Sequence, residues 1–148
     1  MKISVYQVDH YHKVLHLLRL NTPQYFAPAE EAHFIHYLGQ ELEQYFVVEL
    51  EHQIVACGGI NFFRKEKKTR ISWDMIHPEH QRKGIGKALM QHRIAIISAI
   101  DWVDEIEVRT SQLAFRFYKK MGFELQKIET NFWAEGLDLY LMTIKLPD

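Results

Sequence analysis

One cysteine in 148 residues leaves no internal disulfide to form, so a cross-linked scaffold is excluded and the chain must hold itself by packing. Four prolines and seven glycines are too few for a collagen-like or low-complexity chain. Neither sign of charge prevails: 18 Lys and Arg face 19 Asp and Glu, a formal net charge of -1. Such a surface offers no general field to a polyanion, and no basic patch stands out, so nucleic acid is not an expected partner. Long apolar runs are missing as well. The stretch Ile94 to Ile100 falls far short of the roughly 20 residues a membrane helix needs, and Met1 to Gln7 lacks the apolar core of a signal peptide. A soluble, cytoplasmic protein without a membrane partner is the expectation.

What the chain does have is ordinary globular composition, 47% hydrophobic and 25% charged. A chain of this length buries roughly 68–70% of the surface its unfolded form exposes, enough for a core without metal or cross-link. One domain spanning residues 1–148 is expected.

Apolar spacing divides the chain into mixed elements. Residues 2–8 alternate weakly as a strand, and Asp9 stands as N-cap candidate for a helix carrying Val14, Leu15, Leu17, Leu18 and Leu20. After Asn21-Thr22-Pro23 a second helix opens at Pro28, has Glu30 and Glu31 in its first turn, and stops at Gly39. Tyr45 to Leu50 and Ile54 to Ile60 read as a hairpin across Glu51-His52-Gln53, and Gly58-Gly59 marks a bulge or a close backbone approach. Arg64 to Lys68 is a solvated charged loop, and Thr69 to His77 a strand ended by Pro78. Residues 84–100 form the best-defined helix; Glu105 to Thr110 is a short strand, and Gln112 to Met121 a helix stopped by Gly122. Phe123-Glu124-Leu125 opens another strand, and Leu137 to Leu146 alternates as the last. Strands and helices interleaved in this way predict a mixed α/β or α+β domain.

The chemistry-bearing stretch is Gln81-Arg82-Lys83-Gly84-Ile85-Gly86-Lys87, set between a strand and an amphipathic helix. Two glycines permit a tight turn, the first free N–H groups of the helix point outward, and the helix dipole puts partial positive charge where an anion would sit. Two common nucleotide fingerprints fail on this stretch. A P-loop needs Gly at 81 and Ser or Thr at 88, where Gln81 and Ala88 stand. A dinucleotide loop needs a third Gly at 89, where Leu89 stands, and needs it after the first strand.

Gln81-Arg82-Lys83-Gly84-Ile85-Gly86, following His77-Pro78-Glu79, resembles the Gln/Arg-x-x-Gly-x-Gly/Ala signature of the GNAT superfamily of acyl-CoA-dependent N-acyltransferases. Ala114-Phe115-Arg116-Phe117-Tyr118-Lys119-Lys120-Met121-Gly122-Phe123-Glu124 resembles a second motif of that family, a helix and the strand after it. The order of elements is similar over nearly the whole chain. The resemblance implies an α+β fold with a central, mostly antiparallel twisted sheet splayed between its fourth and fifth strands, and helices on both faces. It implies acetyl-CoA as cofactor and a small-molecule amine or peptide as acceptor, the acetyl group passing by direct attack within a ternary complex. A homodimer through the exposed edge of the last strand is a further expectation.

The same resemblance places the CoA pyrophosphate on the backbone of Arg82 to Gly86, with Gln81, Arg82, Lys83 and Lys87 beside it and the Ile85 side chain turned to the core. Met75 and Ile76 lie along the pantetheine arm, and the N–H groups of Asp74 to Ile76 are the expected oxyanion donors. Tyr118 matches the tyrosine that serves as general acid, and a core aromatic is its alternative role. Asp74, which interrupts an apolar strand, and Glu107, which alternates with Ile106 and Val108, are candidate bases beside a water relay. Where the family often carries Asn, this chain reads Thr110-Ser111-Gln112; Ser111 is a candidate cofactor contact and equally a helix cap.

Nine histidines invite a metal reading, but no carboxylate or Cys completes the pairs His12/His16 and His33/His36, so no metal is expected. Cys57, in an apolar strand, reads as core. Glu30, Glu31, Glu41, Glu43, Glu129, Glu135 and Asp138 give the variable segments an acidic cast, which favours a cationic acceptor. A CoA-binding sensor or partner-binding module on the same fold is the alternative to an enzyme.

Overall fold

Alternation along Gln44–Leu50 (β2) sets the two faces of the sheet. Tyr45 and Val47 turn toward one layer of helix, and Phe46 and Val48 toward the other. The computed structural model describes residues 1–147. Lys2–Val5 (β1) pairs with β2, and β2 pairs with Gln53–Phe63 (β3), all antiparallel. Lys68–Ile76 (β4), Glu105–Thr110 (β5), Glu124–Ala134 (β6) and Leu137–Lys145 (β7) complete seven strands in the order β1-β2-β3-β4-β5-β7-β6.

Only β4 and β5 run parallel, and their pairing stops early. It extends from Lys68 opposite Glu105 to Ile71 opposite Val108, while β4 continues to Ile76 alone. This is the splay expected between the fourth and fifth strands, and it leaves five residues of β4 without a neighbour on that side.

Each face carries its own core. Tyr11–Leu20 (α1) contributes Val14, Leu15, Leu17 and Leu18, and Glu30–His36 (α2) contributes Phe34, packed against Tyr45, Val47, Cys57 and Met75. Ile85–Ser98 (α3) contributes Ile85, Leu89, Met90 and Ile97, and Phe115–Lys120 (α4) contributes Tyr118, packed against Phe46, Val48, Ile60, Ile71 and Ile106. Full burial of such a side chain is worth roughly 1.5–3 kcal/mol, so these two layers hold the splayed sheet between them.

Several element ends differ from expectation, each for a local reason. Asp9 is not an N-cap: β1 ends at Val5, and Asp9 falls inside a single turn Val8–His10, where Gln7 N–H donates to His10 Nδ1 at 2.9 Å. The second helix begins at Glu30 rather than Pro28, because Glu30 reaches back to accept the Ala27 N–H at 2.8 Å. It runs past Gly39 as a wide turn, Tyr37–Glu41. The helix expected from Gln112 begins at Phe115: Ser111 Oγ accepts Leu113 N–H at 3.2 Å and Ser111 O accepts Ala114 N–H, so residues 111–114 form a turn. Phe132 and Trp133 stand on β6 itself, which extends to Ala134 before Gly136 turns the hairpin.

Candidate active site

The centre of the splay is built on one extra residue in β4. Cys57 pairs with Met75 and Gly59 with Ser72, so Trp73 and Asp74 together oppose Gly58. Trp73 takes the left-handed conformation, φ 51°, which a bulky residue adopts only when its surroundings hold it there. They do. Tyr45 Oη donates to Trp73 O at 2.8 Å, and the indole packs against Phe34 and Phe26 with ring centroids 5.0 and 6.0 Å away. A Cβ at Gly58 would overlap the Asp74 carboxylate and the Arg93 guanidinium, so the glycine pair anticipated as a bulge or a close approach marks both, the extra residue lying on the facing strand.

The bulge turns Asp74 away from its strand neighbours and into the layer of α3 and α4. There its carboxylate takes two bonds from Arg93, Nη1 to Oδ1 at 2.5 Å and Nη2 to Oδ2 at 3.0 Å. Tyr118 Oη donates to the same Oδ2 at 2.8 Å. Arg93 is 1% exposed and also donates to the carbonyls of Gly59 and Leu89 at 3.1 and 3.3 Å. Burial disfavours its charge, but the Asp74 carboxylate outweighs burial and holds the guanidinium ionised. Burial, with the Asp74 charge adding, pushes the Tyr118 phenol well above its ordinary 10.0, so its proton stays on.

Glu107, the second candidate base, is clamped. Its carboxylate accepts from Lys68 Nζ at 3.0 Å and Arg70 Nε at 2.6 Å, on the paired stretch of β4 and β5. Burial would raise this carboxyl, but those two bonds prevail and hold it below the ordinary carboxylate range. A carboxylate held ionised by two cations is a poor acceptor for a substrate proton.

Residues 81–87 form the mouth at the other end. Arg82 and Gly84 both take positive φ, 64° and 80°, so the chain curls before α3. Ala88 N donates to Gly84 O at 3.0 Å, which leaves the N–H groups of Ile85, Gly86 and Lys87 ahead of the first helical bond. Gly86 is favoured by packing: a Cβ there would lie 2.9 Å from Ile76 Cδ1 and 3.1 Å from the Phe117 ring, so both side chains would have to shift. The Ile85 side chain is 3% exposed in the α3 core. Lys83 and Lys87 project into solvent, and Lys83 Nζ lies 3.5 Å from His80 Nδ1.

One cavity of about 1010 Å³ joins these parts. It runs from Gln81, Arg82 and Gly86 past Met75, Ile76, Asp74 and Tyr118, and Ser111 lines it beside its capping bond. At the far end stand Tyr25, Glu30, His33, Tyr37, Arg70, Arg109 and Trp133. Glu107 is not part of its wall. Cys57 is fully buried, and burial pushes its thiol up to about 12, which makes it a packing residue. Of the carboxylates expected to make its mouth acidic, Glu30 and Glu41 line the cavity, while three others are engaged with their neighbours. Glu31 pairs with Arg19 at 2.9 Å, Glu43 accepts Asn61 Nδ2 at 3.0 Å, and Asp138 accepts Asn131 N–H at 2.8 Å.

Arg93 and Arg109 were not singled out by sequence reasoning. Arg93 left a trace: it stands four residues after Leu89 and four before Ile97, a charge on the stripe that α3 buries. Arg109 left none, since its place depends on which elements meet across the sheet.

With this geometry, residues 41–125 match the acetyltransferase (GNAT) domain family. An N-alpha-acetyltransferase of Sulfurisphaera tokodaii is 29% identical over 139 residues, covering 85% of this chain and 79% of the relative. The ribosomal-protein-S18-alanine N-acetyltransferase from Escherichia coli superposes with a TM-score of 0.81 at 18% identity, over 99% of this chain and 94% of that one. An aminoglycoside 6'-N-acetyltransferase solved with coenzyme A superposes with a TM-score of 0.80 at 13% identity, over 100% and 99%.

Proposed function

Because the chain belongs to the GNAT acetyltransferase family, it is an enzyme that transfers an acetyl group from acetyl-CoA to an amine, and we propose how its own residues divide that work. The observation that carries the division is the hydrogen bond from Tyr118 Oη to Asp74 at the floor of the splay.

The cleft suits acetyl-CoA in two respects. The curled run Arg82 to Gly86 ends in three free helical N–H groups, a cradle for phosphate oxygens, and Arg82 adds a full positive charge beside it. Past Ile71 the edge of β4 has lost β5, so the backbone of Ser72 to Ile76 is free to receive an extended amide-bearing arm. Gln81, Met75, Ile76 and Ser111 line that path, while Lys83 and Lys87 act from solvent on the outer phosphates. When bound, acetyl-CoA supplies the acetyl group as a thioester activated toward amines.

Tyr118 keeps a proton at Oη inside the splay; as the thiolate departs the hydroxyl turns from Asp74 and gives it that proton, and the phenolate regains one from the attacking nitrogen, which must lose its extra proton as the amide forms. Asp74 holds that hydroxyl in place, and Arg93 holds Asp74, so the carboxylate orients the phenol rather than deprotonating the amine. Glu107 is bound to Lys68 and Arg70 and is excluded from that role on the same ground. The amine therefore sheds its proton to water in the open half of the cleft, before direct attack in a ternary complex. Backbone N–H groups of the β4 bulge region stabilise the developing oxyanion.

The acceptor is a small amine or a peptide amine, bound on the side of α2 and the β6–β7 hairpin. Among the described residues no helix is long and apolar enough to cross a membrane, and we place the enzyme in the cytoplasm. The last strand, β7, has no exposed edge because β5 and β6 flank it; β6 forms the outer edge of the sheet, and pairing of that edge with a second copy is the assembly we assign to it. Calorimetric titration with acetyl-CoA, CoA and NADPH tests the donor assignment. Micromolar CoA and acetyl-CoA binding that is lost in Gly84→Glu supports it; binding of NADPH without CoA overturns it.

A further inference from the structure

Charge on the cavity wall is paired almost everywhere. Asp74 is matched by Arg93 and Arg70 by Glu107. Glu30 is buried on the Ala27 N–H, and Glu41 stands exposed at the rim, 3.8 Å from His36. Arg82 belongs to the phosphate end. Arg109 is different: it is half-buried on β5, one residue past the last β4–β5 pair, with no hydrogen bond or ion pair among the described residues.

Arg109 is nevertheless held in place. Its guanidinium carbon lies 5.3 Å from the Phe132 ring centroid and 5.5 Å from that of Trp133, and Trp133 Nε1 donates to Thr110 O at 3.0 Å. Aromatic faces orient a guanidinium without neutralising it, so its fork of N–H donors remains available to an anion. Burial, with the charge of Arg70 adding, pushes this guanidinium below its ordinary value. A bound anion relieves both penalties. The Tyr37 hydroxyl on the same wall is also buried and has no partner among the described residues.

We propose that the acceptor is an amine bearing a carboxylate, that Arg109 binds the carboxylate, and that the amine nitrogen lies toward Asp74 and Tyr118. The inference rests on the acetyl-transfer reading of the same cleft. A free amino acid and a peptide with an acidic first residue share this chemistry. It departs from the acidic, cation-seeking mouth expected from the sequence, because Glu31, Glu43 and Asp138 are engaged elsewhere and Glu30 is buried on the Ala27 N–H.

The test is turnover with acetyl-CoA, followed as free thiol release, on matched acceptors. One arm sets aspartate, glutamate and phenylalanine against their amides; the other sets peptides beginning with Asp or Glu against those beginning with Asn or Gln. Rates are normalised to the unprotonated amine. Acids of one arm are expected to exceed their amides in kcat/KM by about tenfold or more. Arg109→Gln is expected to erase that advantage and Arg109→Lys to restore part of it, with acetyl-CoA affinity kept in both. Amides equal to acids, an acid preference surviving in Arg109→Gln, no response to any acid while acetyl-CoA binds, or acetyl-CoA affinity lost in Arg109→Gln each overturn the proposal. Failure of the underlying reading looks different: the unmodified enzyme then binds no acetyl-CoA.

Discussion

Tyr118 Oη and Asp74 Oδ2 meet at 2.8 Å across 44 positions of sequence, one carried by α4 and the other by the bulge of β4. The contact bridges the two sides of the splay, and Arg93 completes it from α3. In the mechanism we propose, fold and chemistry depend on the same three side chains.

Arg93→Met leaves the Asp74 carboxylate without its partner in a mostly buried site, and such a change costs about 3–5 kcal/mol. Urea unfolding measures it. Adding Asp74→Asn to Arg93→Met recovers part of the loss, since the uncompensated charge is then gone; strictly additive losses contradict the pairing.

Gly84 and Gly86 separate by mechanism. Gly84→Ala meets open space and suffers only its positive φ, a loss of about 1–2 kcal/mol. Gly86→Ala drives a methyl into Ile76 and Phe117 and loses about 1–3 kcal/mol with displacement of the end of β4. Weaker acetyl-CoA binding in Gly86→Ala than in Gly84→Ala is the expected calorimetric result.

Alkaline pH destabilises the fold. Cys57 is raised from 9.0 to about 12, and Tyr37, Tyr45 and Tyr118 are all raised above 10.0, each chiefly by burial. The unfolded chain therefore releases these protons first. Their contribution is whole below about pH 9 and is lost as pH climbs toward the folded-state values. Urea midpoints should fall steadily from about pH 9 to pH 11; a flat profile contradicts the burial of these groups.

Glu107 behaves in the opposite sense. Its folded-state carboxyl is depressed, so its stabilisation is present above its ordinary 4.5 and is lost as pH falls below that. Glu107→Gln lowers stability at neutral pH by about 1–3 kcal/mol and softens the acid transition. Its pH–rate profile keeps the shape of the parent enzyme; loss of the acid limb, where rate rises as a base loses its proton, would make Glu107 the base.

What the sequence disclosed was local chemistry. The curl at Gly84 and Gly86 and the helix after it follow from glycine, spacing and a dipole, all within one stretch of chain. Asp74 and Tyr118 each drew notice separately, but their meeting did not, because nothing near Trp73 marks a bulge: no glycine occupies its left-handed position. Arg93 was legible only as an oddity on a buried stripe. β6 was legible only at its start, Phe123 to Leu125, because none of its eleven residues is buried and eight are exposed, leaving no alternation to read further along. Arg109 carries no signature at all, since its lack of a partner is a property of the assembled cleft.

The most direct test of the account is the steady-state kinetics of Tyr118→Phe beside its acetyl-CoA affinity. The phenyl ring keeps the packing of α4 and removes only the hydroxyl held by Asp74. The account predicts a kcat lower by about 10²–10⁴-fold with acetyl-CoA affinity unchanged. An unchanged kcat would contradict it and leave Tyr118 as a core aromatic that happens to hydrogen-bond a structural ion pair.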